Sequence, residues 1–122
     1  MNRKDQENFK LKPEDISAIL CALPLVQNIT TDNSEQTLLN RMCCDIAAKK
    51  LMDGNLSFHY NEIRVMFVAV GFALDLLTGT ENPFLSNASV SDSWKSRLTK
   101  YLFNYNRLYP YFEELSQKFI SR

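Results

Sequence analysis

Few residues in this chain could do chemistry: one histidine, His59, and three cysteines, Cys21, Cys43 and Cys44. A lone imidazole can serve as a base, but no serine elbow, glycine-rich phosphate loop or paired catalytic motif accompanies it. Its polar surroundings, just ahead of a long apolar stretch, suit a solvated residue at the start of a helix. A metal site would need Cys21, Cys43, Cys44 and His59 to converge. Neighbouring helix positions project about 100° apart, so Cys43 and Cys44 form a poor chelating pair. No Cys-x-x-Cys occurs. A redox role for the pair would require a thiolate stabilised by positive charge, whereas small hydrophobes at the edge of a core require nothing further. No catalytic residue, metal or cofactor is expected, and the chain reads as a non-enzyme.

Two further polar features could form binding sites. Arg64 and Asp75 share a narrow stripe with Gly71 and Thr78 on an otherwise apolar helix, and that stripe could line a ligand pocket or simply face solvent. The segment Ser93 to Tyr109 carries Lys95, Arg97, Lys100 and Arg107 and no acid. On a continuous helix Phe103 lies opposite the apolar stripe, flanked by Lys100 at i−3 and Arg107 at i+4. An aromatic among cations could stack on a base or fill a partner's pocket. Lys95, Lys100, Phe103 and Arg107 are therefore the candidate partner-binding residues. The bland alternative is that the C-terminal helix folds back over Phe103.

Punctuation in the sequence defines the elements that position these groups. Pro13, followed by Glu14 and Asp15, opens a first helix, with Ile16, Ile19, Leu20 and Leu23 at helical spacing and Pro24 as a stop or kink. Asp32 with Glu35, or Asn33 with Gln36, has capping-box spacing for a second helix over about 34–52, closed by Gly54. This helix has two apolar faces, one of Leu38, Leu39, Met42 and Ile46, the other of Cys44, Ala47, Ala48 and Leu51. The small-residue face, Cys44, Ala47, Ala48 and Leu51, admits another helix at close range and is the candidate dimer seam, the alternative being that the first or last helix covers it within one chain. A third helix over about 61–78, ending at Gly79, is apolar round most of its circumference and so is central, with Phe67 and Leu74 expected in the core. Val65 to Val70 also has strand propensity, but length and caps favour helix. A loop over 79–90 carries a hydrophobic plug at Phe84 and Leu85. Ser91 or Asp92 caps a fourth helix over about 93–109, with Trp94, Leu98, Tyr101, Leu102, Tyr105, Leu108 and Tyr109 in one stripe, and Pro110 separates or kinks it from a last helix.

The expected fold is all-α: a small four- to five-helix bundle in a single domain, 1–122, with residues 1–10 a flexible polar tail. At 122 residues, 45% apolar and 23% charged, the chain is long enough for a core and too apolar for disorder. Fourteen basic residues balance fourteen acidic ones, so no global field draws it to nucleic acid or anionic lipid. The longest apolar stretch, Val65 to Leu74, is half of what a bilayer span needs, so no membrane partner is expected. The polar N-terminus and odd cysteine count suit a reduced, cytoplasmic protein, in which three Asn-x-Ser/Thr matches are chance. By elimination, the expected function is a non-enzymatic protein–protein interaction module, an accessory, adaptor or inhibitor protein, self-associating as a homodimer. The alternative is a nucleic-acid-binding regulator using the basic face of the fourth helix.

Overall fold

Helix signals in the sequence translate directly into helices. The computed structural model describes residues 6–8, 10–85 and 90–120. In chain order these form β1 (Gln6–Asn8), α1 (Pro13–Gln27), α2 (Ser34–Asp53), β2 (Ser57–His59), α3 (Tyr60–Thr78), α4 (Asp92–Lys100) and α5 (Leu102–Ile120). The protein is all-α apart from one two-stranded antiparallel ribbon, in which Glu7 pairs with Phe58. Within the expected polar tail, Gln6–Asn8 thus acquires structure by donating the second strand to the segment before α3.

The caps explain the boundaries. Asn33 Oδ1 accepts the backbone N–H groups of Glu35 and Gln36 at 2.9 and 3.1 Å, which starts α2. Ser91 Oγ accepts from Trp94 N at 3.1 Å and starts α4. Gly54 and Gly79 end α2 and α3 with φ of 75° and 72°, left-handed values that side-chain-bearing residues rarely adopt.

Neither proline ends its helix. Both Pro24 and Pro110 lie inside continuous helices. Proline supplies a helical φ and lacks only its N–H, and at Pro110 the carbonyl left without that donor belongs to solvent-exposed Asn106, where water can serve it. The break falls at Tyr101 instead, whose N–H turns back to Leu98 O at 3.0 Å while its own carbonyl accepts Tyr105 N to begin α5.

α3 lies at the centre, packed against α1, α2, α4 and α5. Ile63, Val65, Met66, Ala69, Val70 and Ala73 are its buried apolar residues. Phe67 and Leu74 are only half-buried, so the deepest face of α3 is rotated away from them. Tyr109 covers Phe67 with ring centroids 4.9 Å apart, and Phe84 stacks on Phe72 at 6.0 Å, so the plug after Gly79 exists although Phe84 itself stays exposed. The rest of that loop, 86–89, lies outside the described residues. Ala18, Ile19, Ala22 and Leu23 of α1 and Tyr105, Leu108 and Phe112 of α5 close the core on either side.

Candidate interaction surface

The small-residue face of α2 is an internal seam. Cys44 and Ala47 are fully buried and Leu51 is 2% exposed, while Ala48 is half-buried. The helix that exploits their small size is α1 of the same chain, close enough for the Cys44 thiol to point at Leu23 O, 4.0 Å away. Cys44, Ala47 and Leu51 are therefore buried within one chain and not open to a second copy as a dimer seam, as the alternative foresaw, while Ala48 keeps partial exposure.

The other apolar face of α2 points outward. Leu38 is 59% exposed, Met42 51%, Ile46 43% and Leu39 37%. Leu38, Met42 and Ile46 advance round the helix by about 40° per step, so they form one continuous row with Leu39 at its edge. Exposed apolar side chains scattered singly need no explanation, whereas these four share one side of one helix as a continuous apolar strip. Glu35 and Lys49 bracket the row, both exposed.

The basic candidates divide between two helices because of the turn at Tyr101. Lys95 and Lys100 are exposed on α4, and Phe103, on the first turn of α5, is 78% exposed. α5 runs on as one helix through Pro110, so the C-terminal helix does not fold back over Phe103. Lys100 also lines an open cleft of about 390 Å³ between α1 and α4, together with Ser17, Leu20, Cys21, Arg97 and Tyr101.

Arg107 is not available to a partner in the same way. Its guanidinium pairs with Asp15, a fully buried carboxylate at the start of α1. Asp15 also accepts from Asn104 Nδ2 at 2.9 Å and from Lys12 N at 3.0 Å. Burial alone would raise its pKa, but these donors and the positive charge outweigh burial and hold the carboxyl below the usual carboxylate range. Asp15 was expected only as a first-turn carboxylate of α1, and its link to Asn104 was not foreseen, because 89 residues separate them in the sequence.

The remaining chemical candidates are committed to structure. Arg64 donates to Asn40 Oδ1 at 2.8 Å, and Asp75 accepts from Asn82 at 2.9 Å. Between them Tyr109 closes on Gly71, where an added Cβ would meet the ring at 3.2 Å, so the stripe is bridged and not an open groove. His59 precedes α3 as its N-cap, its backbone N–H donating to Glu62 Oε1 at 3.3 Å. Glu62 also binds Lys50 at 2.6 Å, which ties the end of α2 to the start of α3. Burial pushes the thiols of Cys21 and Cys43 up and that of Cys44 up to about 12, which keeps all three protonated near neutrality. No group of three His, Cys, Asp or Glu residues that could hold a metal occurs among the described residues, and no described helix is long and apolar enough to cross a membrane.

No protein-family model, curated protein or solved structure matches this chain. Any functional conclusion rests on its own surface.

Proposed function

We propose that this protein is a non-enzymatic interaction module, an accessory, adaptor or inhibitor protein, whose contact surface is the outer face of α2. The observation that carries this is the row Leu38, Leu39, Met42 and Ile46, left outside a core that already has its own complement of side chains. Protonated thiols and a bridged Arg64–Asp75 stripe support a binding role over a catalytic one. Three free cysteines suit a reducing cytoplasmic setting. Affinity capture from the host cell tests the assignment by comparing wild type with the double variant Leu38→Glu, Met42→Glu. Both positions are exposed, so the variant should keep its helical circular dichroism. A protein retained by wild type and lost by the variant is the expected outcome; identical capture by both overturns the assignment.

A nucleic-acid role has one observation in its favour, the 78% exposure of Phe103, a few residues after exposed Lys95 and Lys100 in the sequence. Against it stand zero net charge and the pairing of Arg107 with Asp15. Fluorescence anisotropy with labelled single- and double-stranded oligonucleotides at low salt decides. No binding is expected; if single strands bind, Phe103→Ala should cost about 1–3 kcal/mol.

A further inference from the structure

We propose that the outer face of α2 is closed by a second copy of this chain, the two α2 helices packing antiparallel about a two-fold axis at Met42. The inference rests on the interaction reading above and names the partner.

The argument is one of self-complementarity. Leu38 and Ile46 lie four residues on either side of Met42, and Glu35 and Lys49 lie seven residues on either side. On the helical wheel all five fall within about 80° of arc, so they form one strip along the exposed side of α2. A two-fold axis at Met42 then sets Leu38 against Ile46 of the second copy and Glu35 against its Lys49. Each contact occurs twice, as an isologous interface demands. Parallel pairing would instead set Glu35 on Glu35 and Lys49 on Lys49, which repel. Antiparallel helix dipoles favour the same orientation. Both charges are free to pair, since Glu35 and Lys49 are exposed and neither takes part in the two ion pairs found among the described residues. Methionine at the axis suits self-contact, because its unbranched side chain adapts to its own image. A partner with a uniformly acidic or basic surface would satisfy one end of this strip and be repelled by the other.

The seam covers about four turns of helix, which places it among small interfaces of under about 1,200 Å² in total and predicts association in the micromolar range. Sedimentation equilibrium on the full chain, from micromolar to millimolar concentration, should show a monomer–dimer equilibrium. Met42→Glu should weaken it by about a hundredfold or more, since it sets two carboxylates together at the axis. Glu35→Lys and Lys49→Glu should each weaken it by about tenfold, and the two combined should restore it, because the combined change re-forms both pairs with their signs exchanged. Ala48→Glu distinguishes this face from the internal one: it should lower thermal stability, whereas Met42→Glu should not. A monomer at every concentration, a dimer indifferent to Met42→Glu, or a double reversal no tighter than the single ones overturns the proposal. A monomer that nevertheless captures another protein through Leu38 and Met42 leaves the interaction reading standing and removes only the second copy.

Discussion

Asp15 shows how much a single side chain can decide. Its carboxylate is fully buried at the start of α1 and is held by Asn104 and Arg107 of α5, so one charge joins the two ends of the fold. Its pKa is lower folded than unfolded. The stability it contributes is therefore complete above about pH 4, the unfolded range for aspartate, and is lost as pH falls through the folded value. Asp15→Ala should cost about 2–4 kcal/mol at neutral pH, leaving Asn104 and Arg107 without their acceptor. Urea unfolding at neutral and acid pH checks this, and the gap between wild type and variant should narrow in acid. The cysteines make a second prediction at this scale. Half-buried Cys21 should react first with an aromatic disulfide reagent, and buried Cys43 and Cys44 only as fast as the chain opens. Reaction of Cys44 in the folded state at neutral pH would contradict its burial.

Among the elements, α3 offers the plainest test. Met66→Ala removes a fully buried side chain and should cost about 2–5 kcal/mol, while Phe67→Ala, half-exposed under Tyr109, should cost clearly less. Thermal or urea unfolding of the two variants decides the order. Most element boundaries were legible because they rest on local chemistry: Asn33, Ser91, Gly54 and Gly79 do their work within a few residues of where they stand. What was not legible depends on distant neighbours. Both faces of α2 have valid helical periodicity, and only the arrival of α1 on the small-residue side decides which face points in. The break at Tyr101 was hidden for the same reason, since proline at 110 is the louder local signal yet costs little where its missing partner is wet. Of the candidate site, the row Leu38, Leu39, Met42 and Ile46 was visible as a pattern and invisible as a surface. Phe103 was visible as an outward-facing aromatic, and Arg107 was spoken for by a carboxylate from the far end of the chain.

The whole molecule is electrically quiet, with zero formal charge and an isoelectric point near 6.6. Two copies therefore approach with little net repulsion, and specificity falls to local pattern and not to long-range attraction. Solubility should pass through a minimum near pH 6.6, as light scattering across a pH series would show. Far-UV circular dichroism should be dominated by helix, since the ribbon of β1 and β2 contributes only three residues per strand. Three side-chain bonds, from Asn104 and Arg107 to Asp15 and from Tyr105 Oη to Ala18 O at 2.7 Å, bind α1 to α5 across the length of the sequence. Deleting α5 should accordingly unfold α1 as well as expose α3, with loss of most of the helical signal.

Trp94 gives this fold a built-in optical probe. It is the sole tryptophan, and its indole N–H donates to Cys21 O at 2.9 Å, bridging α4 to α1 over 73 residues. α4 has only nine residues and one buried side chain, Leu98, so it has the least holding it in place. If α4 lifts away first, emission should shift to the red under mild denaturant before the ellipticity falls. The single indole would then time the release of one helix while the remaining core stays folded.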